Sequence, residues 1–313
     1  MALNLGSRGS PLAMTQSRLV AGMLARLTGD GETCFPIQSF ITSGDRIADR
    51  RLQEAGGKGL FTKELDEALL DRRIDAAIHS LKDLPTKMPD GIVLAAIPSR
   101  EDPRDAFISH KARDLKSLPP GAVIGTASLR RQAQTLHLRP DLKIVTLRGS
   151  VETRLKRIGE GVMDATFLAL AGLTRLGLQH HASGLIDENE MPPAPGQGAL
   201  AITCREDDAA TRALLAKLSI AEFEIAVAAE RGFLEALDGS CRTPIAALAR
   251  LKDGRLSFVG EILSPDGAKR WRRSETLERA NCESAAELGR KLGAAIRSEA
   301  GETFIQSLDK RGW

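Results

Sequence analysis

Tyrosine is missing altogether from the 313 residues, and aromatic side chains make up only 4% of the chain. Proteins that hold single-stranded nucleic acid usually stack bases on aromatics, so that class starts poorly supported. Cysteine is scarce as well. Cys34, Cys204, Cys241 and Cys282 lie far apart, with no CxxC pair. That spacing excludes a zinc ribbon and a disulfide framework, and it suits a reducing compartment. No cluster of His, Cys and carboxylates has ligand spacing, so no metal site is expected. No apolar run reaches about 18 residues, and the first residues, Met1-Ala2-Leu3-Asn4-Leu5, have neither a basic flank nor an apolar core of signal-peptide type. The expectation is a cytoplasmic protein with no membrane contact.

What is present is ordinary in bulk. Hydrophobic residues make up 42% and charged residues 27%, and the net charge is +3. The length allows two or three domains. The informative stretch is His79-Ser80-Leu81-Lys82-Asp83-Leu84-Pro85, which follows the apolar run Ile74–Ile78. A buried strand that ends in polar residues and a proline delivers those side chains to the edge of a sheet. Open α/β folds place their ligand cleft at that edge. Lys82 can hold an anionic group, and Asp83 can trade a proton or face a developing cation. A Lys-Asp pair capping a solvated turn is the bland alternative.

Other strand ends repeat the pattern. Leu3 and Leu5 lead into Gly6-Ser7-Arg8-Gly9-Ser10-Pro11, and apolar residues then recur at helical spacing from Leu12 to Leu27. Ser10 is placed to cap that helix and Pro11 to begin it. A helix N-terminus beside Arg8 favours an anion. Cys34 to Ile41 reads as a second strand. Gly56-Gly57-Lys58-Gly59-Leu60-Phe61 lacks the ending of a phosphate loop and reads instead as a segment bringing Lys58 and Phe61 to the cleft. Further strands are expected at Ile92–Ile97, Ala106–Ser109, Ala122–Ile124, Lys143–Leu147 and Ala165–Leu170. Gly125-Thr126-Ala127-Ser128 repeats the strand, glycine, hydroxyl and helix order of Gly6-Ser7, which suggests two similar halves facing one cleft. Proline-rich crossings at 98–105 and 191–198, with a returning strand at Ala199–Arg205, give a hinge of two strands.

From Arg130 to Arg157 there are eight Lys or Arg residues against two acids, Asp141 and Glu152. No aromatic is interleaved. The arginines fall at element ends, which suits a small molecule carrying several carboxylates better than nucleic acid. The remainder, from Ser219, reads as a small α+β domain: a helix to about Asp238, a hairpin Ile245–Leu251 and Leu256–Leu263 turning at Lys252-Asp253-Gly254-Arg255, and a closing amphipathic helix through Leu288 and Ile296. Cys241 lies in a Gly-containing loop, exposed enough to react, although most unpaired cysteines are inert core residues.

Together the segments Ser7-Arg8-Gly9-Ser10-Pro11-Leu12-Ala13, Gly56–Phe61, His79–Pro85, Arg100–Phe107, Gly125–Gln132, Leu147-Arg148-Gly149, Pro195-Gly196-Gln197-Gly198 and Gly239-Ser240-Cys241 with Pro244 resemble, in order, the porphobilinogen deaminase (hydroxymethylbilane synthase) family. Two departures stand out. Ser240 replaces a glycine that many relatives carry, and Gln53-Glu54-Ala55 stands where some have lysine. The resemblance implies two periplasmic-binding-protein-like α/β domains joined by a two-strand hinge, plus a small α+β C-terminal domain. The corresponding boundaries are 1–98 with 199–217, then 104–193, then 219–313. It implies a transferase of tetrapyrrole (haem) biosynthesis that joins four porphobilinogen units head to tail and releases ammonia. It also implies a dipyrromethane cofactor held by a thioether to Cys241, and a usually monomeric state. By motif position the catalytic carboxylate is Asp83. The carboxylate binders are Arg8, Ser10, Lys58, Ser80, Lys82, Thr126, Ser128, Arg130, Arg131, Arg148, Arg154 and Arg175. The rival from another class is a hinge-closing protein that binds a small anion without chemistry.

Overall fold

The structure is a computed structural model that describes residues 2–46, 59–239 and 243–310. Thirteen strands are found among the described residues. In chain order they are β1 (Leu5–Arg8), β2 (Ile37–Phe40), β3 (Ala76–Ser80), β4 (Ile92–Ala96), β5 (Asp105–Ser109), β6 (Val123–Gly125) and β7 (Lys143–Val145). They continue with β8 (Ala165–Ala169), β9 (Gly184–Leu185), β10 (Leu200–Arg205), β11 (Ile245–Lys252), β12 (Arg255–Leu263) and β13 (Arg270–Leu277). These strands make three sheets.

The first sheet runs β2-β1-β3-β10-β4 and the second β7-β6-β8-β5-β9. In the first, β1 is parallel to β2 and β3, whereas β10 is antiparallel to β3 and β4. In the second, β6 is parallel to β7 and β8, whereas β5 is antiparallel to β8 and β9. Numbered from its own first parallel strand, each sheet has the order 2-1-3-x-4. The antiparallel strand x is the one the chain enters on crossing over from the other sheet. The chain therefore builds one topology twice, as two periplasmic-binding-protein-like α/β domains. The crossings β4→β5 and β9→β10 touch: Arg100 and Ala199 form an antiparallel bridge, and the Glu101 amide donates to the Gly198 carbonyl at 3.1 Å. These two segments form the hinge.

Helices cover both faces of the first sheet, which is why β3 is apolar on both faces from Ala76 to Ile78 and β10 from Leu200 to Ile202. Val20, Ala21 and Leu24 of the helix Pro11–Thr28 pack on Leu5, Ile78 and Ile202. Leu65 and Leu69 of the helix Lys63–Leu70 pack on Ile74 and Ala77. The third sheet is antiparallel, in the order β11-β12-β13. Phe233 of the helix Ala221–Ala236 and Leu292 and Ile296 of the helix Cys282–Ala300 build its core with Phe258 and Ile262. The hairpin between β11 and β12 turns on Asp253 and Gly254 alone, at φ 52° and 76°. Positive φ at both positions is what a tight hairpin of this twist requires.

Four details depart from the sequence reading. The segment Glu32–Cys34 is a 3-10 turn, so β2 starts only at Ile37. The third sheet has an additional strand, β13, and a further helix, Glu302–Lys310, follows the expected closing one. Aligned on their helix caps, Arg8 rather than Ser7 corresponds to Thr126.

Candidate functional site

The site grows from the ends of parallel strands. β1 ends at Arg8, and Ser10 caps the following helix by accepting from the Ala13 amide at 3.3 Å. β3 ends at Ser80 and passes into a 3-10 turn, Leu81–Asp83, that carries Lys82 and Asp83. In the second sheet, Thr126 follows β6, and Ser128 caps the helix Leu129–Leu138, accepting from the Arg131 amide at 3.4 Å. Arg148 follows β7, Arg154 sits on the helix Val151–Gly159, and Arg175 ends the helix after β8. This is the location at which open parallel sheets bind ligands.

Around Asp83 the cations converge. Arg8 Nη1 stands 3.8 Å from Asp83 Oδ2. The same guanidinium is forked onto Asp45, with Nε 3.3 Å from Oδ2 and a second contact from Nη2 to Oδ1, and it lies 4.2 Å from the centre of the Phe61 ring. Burial raises the Asp45 carboxyl, but hydrogen bonds from Arg8 and Thr42 overcome that and hold it below its ordinary range. Arg8 is thus oriented by an acid and a ring before any ligand arrives. Ser80 Oγ is held by Gln16, whose Nε2 donates to it at 2.9 Å.

Across the cleft, burial pushes Arg154 down to about 10, and repulsion from Arg131 and Arg148 pushes the same way; only Asp83 opposes. Arg154 Nε donates to the Gly149 carbonyl at 2.9 Å, which aims the side chain. Lys82 falls to about 8. Burial is the largest cause and Arg131 the next, with Arg130 adding and with Asp83 and Asp105 opposing. Cations that depress one another in this way form a site short of negative charge. A ligand bearing several carboxylates supplies it, and on that criterion the residues fit a dipyrromethane with its acidic side chains.

Several predicted binders have partners inside the protein. Arg130 and Arg131 are buried, and both bond to Asp105: Arg130 Nη2 at 2.8 Å, Arg131 Nε and Nη2 at 3.1 and 2.7 Å. Arg130 also donates to Gln134 and to the Pro192 carbonyl of the second crossing. Arg175 donates to the Gly198 carbonyl of the hinge at 2.7 Å. Buried Thr126 accepts from the Ser128 amide at 3.1 Å. Lys58 and Cys241 lie outside the described residues. Asp45, Asp105, Gln16 and Gln197 are site residues that sequence reasoning left out. The only signal available for them was position: Asp45 follows a strand end, and Asp105 and Gln197 lie in the crossings.

Residues 3–213 match the family described as porphobilinogen deaminase, dipyromethane cofactor binding domain, and residues 224–298 match porphobilinogen deaminase, C-terminal domain. A porphobilinogen deaminase of Caulobacter vibrioides (strain NA1000 / CB15N) is 52% identical over 314 residues, covering 97% of each chain. One from Caulobacter sp. (strain K31) is 53% identical over 311 residues, covering 97% of this chain and 98% of that one. One from Phenylobacterium zucineum (strain HLK1) is 52% identical with the same coverage. Among solved structures, an ABC transporter periplasmic substrate-binding protein from Coxiella burnetii aligns with 69% of this chain and 91% of its own, at 19% identity and a TM-score of 0.44.

Proposed function

The chain belongs to the porphobilinogen deaminase family, which joins four porphobilinogen units into the linear tetrapyrrole hydroxymethylbilane and releases ammonia, and we propose that Asp83 is the carboxylate that carries the reaction here. One observation carries this reading: the Asp83 side chain stands where Arg8, Arg154 and Lys82 converge. When the C–N bond of the substrate breaks, the electron pair leaves with ammonia and positive charge develops on the pyrrole. Asp83 faces that charge and stabilises it. Its Oδ2 is also placed to accept the ring proton lost as each C–C bond forms.

Lys82, Arg131, Arg148, Arg154, Thr126 and Ser128 would hold the acetate and propionate groups of the dipyrromethane, with Arg8, Ser10, Ser80 and Arg175 serving the substrate side. When bound, the dipyrromethane supplies the pyrrole carbon to which the first substrate unit is joined. We assign its thioether anchor to Cys241, because a thiolate is the nucleophile suited to permanent capture. Lys58 is assigned to the substrate by motif position alone. Arg130 acts as a strut on Asp105 rather than as a ligand-binding group. We assign the domains as 1–98 with 199–217, 104–193 and 219–313. The protein works as a cytoplasmic monomer. No nucleic-acid partner is proposed; in the basic stretch, Arg130 is engaged by Asp105 and Arg139 is paired with Asp141 at 2.7 Å. No helix among the described residues is long and apolar enough to cross a membrane.

Asp83→Ala is the direct test. The variant is expected to keep its circular dichroism and its bound cofactor mass while ammonia release from porphobilinogen falls by a factor of a hundred or more, the usual scale for a lost acid–base group. Ammonia release within a few-fold of wild type would remove Asp83 from the mechanism.

A further inference from the structure

Gln197 lies in the second crossing of the hinge and is 1% exposed. Every polar atom of its amide has a partner. Nε2 donates to the Pro103 carbonyl at 2.7 Å and to Asp105 Oδ1 at 2.8 Å, and Oε1 accepts from Lys82 Nζ at 3.2 Å. The orientation is forced. The carbonyl and the carboxylate are acceptors only, and the ammonium is a donor only, so a flipped amide would break all three contacts. Asp105 passes the link on, because Oδ1 also accepts from Arg131 Nη2 at 2.7 Å. A continuous chain of hydrogen bonds therefore runs Lys82–Gln197–Asp105–Arg131. It starts on the turn after β3, passes through the crossing and ends on the helix after β6.

The backbone around Gln197 allows little give. Gly196 and Gly198 have φ of 75° and 88°, where a side chain would be strained. A Cβ on Gly196 would meet Leu81, next to Lys82, at 2.8 Å, and one on Gly198 would strike the Glu101 carbonyl of the first crossing. The Gly196 amide is also bonded to Glu230 Oε2 at 2.6 Å. The backbone that carries the amide is thus fixed within the hinge.

We propose that Gln197 is a positioning residue: it sets the ammonium of Lys82 against the guanidinium of Arg131, so that the geometry of the hinge fixes the spacing of two carboxylate-binding groups on opposite sides of the cleft. This rests on the reading of Lys82 and Arg131 as carboxylate binders. The groups facing Lys82 are Asp83 on its own turn, Arg130 and Arg131 on the helix Leu129–Leu138, and Asp105 on β5. Gln197 is the neutral acceptor among them. Replacing it with an apolar side chain removes the acceptor, and replacing it with a carboxylate adds a counter-charge.

The test measures kcat and KM for porphobilinogen from pH 6 to 10 in the full-length holoenzyme and in Gln197→Met, Gln197→Glu and Lys82→Met. Gln197→Met is expected to raise KM on the order of tenfold, the scale of one lost charge-assisted hydrogen bond, and to move the alkaline fall of kcat/KM to lower pH. Gln197→Glu keeps the size, sets an oxygen in place of the donor that faces Pro103 and Asp105, and adds a counter-charge beside Lys82, so it is expected to move that fall to higher pH. Opposite shifts cannot come from a merely structural defect. Gln197 variants that titrate like wild type, or that both shift the same way, overturn the inference while leaving the cleft assignment intact. A Lys82→Met enzyme with wild-type KM overturns the cleft assignment, and the inference with it.

Discussion

Lys82 has a charge that depends on pH within the range where the enzyme can be assayed. Burial and Arg131 lower its ammonium to about 8, so below that pH it is charged and can hold a carboxylate. Above it the proton is lost and the contact with it. kcat/KM for porphobilinogen is therefore expected to fall as pH rises through about 8. In Lys82→Arg, whose guanidinium is far more basic than an ammonium, the fall should disappear or move beyond pH 10. A pH–rate profile unchanged by that substitution would mean that another group governs the alkaline limb. Asp105 titrates in the opposite sense. Burial raises its carboxyl, but Arg130, Arg131 and Gln197 outweigh this and hold it far below the ordinary range. A carboxylate with a depressed folded-state value stabilises the fold above its unfolded value, near 4. That contribution is lost as pH falls toward the folded value. Asp105→Asn strands two buried guanidinium groups and should cost on the order of 3 kcal/mol at pH 7, with the gap to wild type narrowing in urea titrations below about pH 4. At this scale the sequence made the strand-end residues visible because a polar pair after an apolar run has a fixed place in an open sheet. Asp105 and Gln16 were not visible. Each works by meeting a residue far away in the chain, and nothing local distinguishes Asp105 from the other acids of Arg100-Glu101-Asp102-Pro103-Arg104-Asp105.

Single elements aim the cationic residues. The helix Leu129–Leu138 carries Arg130 and Arg131 in its first turn and begins at Ser128, whose Oγ accepts from the Arg131 amide. The third sheet braces the other turns of this helix: Gln132 donates to the Pro265 carbonyl at 3.2 Å, and Gln134 to Glu261 at 2.8 Å. Loss of the cap should therefore loosen the first turn more than the rest. Ser128→Ala is expected to cost about 1 kcal/mol in chemical denaturation and to raise KM more than it lowers kcat. A Ser150→Ala variant, which uncaps the helix of Arg154, serves as the parallel case. Equal loss of kcat and KM effect in both would say that the caps stabilise without aiming. Elements with an apolar stripe or a serine cap were legible in the sequence, down to Ser10 and Pro11. β13 was not, and the reason is physical. As the outer strand of its sheet it carries Arg270, Arg272, Arg273 and Glu275, and charge on an edge discourages pairing with another chain. The same charge hides the alternation by which a strand is recognised.

For the whole molecule the question is what keeps three sheets in one arrangement when the two α/β halves are joined by two crossings. Much of the answer lies in one side chain. Glu230, on the helix Ala221–Ala236, is fully buried. Its Oε2 accepts from the Gly196 amide at 2.6 Å and from Arg100 Nη2 at 3.1 Å, and its Oε1 accepts from the Ala249 amide of β11 at 2.8 Å. Both crossings and the third sheet thus meet on a single carboxylate. Nothing local marks this role, since Glu230 follows two alanines in a helix and has no neighbour that identifies it as interior. Breaking a buried ion pair from one side leaves the partner charge without water or counter-charge, and here two backbone amides are stranded as well. Glu230→Ala should cost on the order of 3 kcal/mol or more, about 6 °C in Tm at roughly 2 °C per kcal/mol for a chain of this size. More telling is the shape of the transition. With the tie gone, the third sheet loses its main polar link to the hinge and should melt apart from the α/β pair. Calorimetry is then expected to resolve two transitions where the wild type gives one. Arg100→Met strands the carboxylate but leaves its two amide bonds in place, so it should lower Tm while keeping a single transition. A single, unshifted transition in Glu230→Ala would mean that the apolar packing around Phe233 and Val227 holds the assembly without this carboxylate.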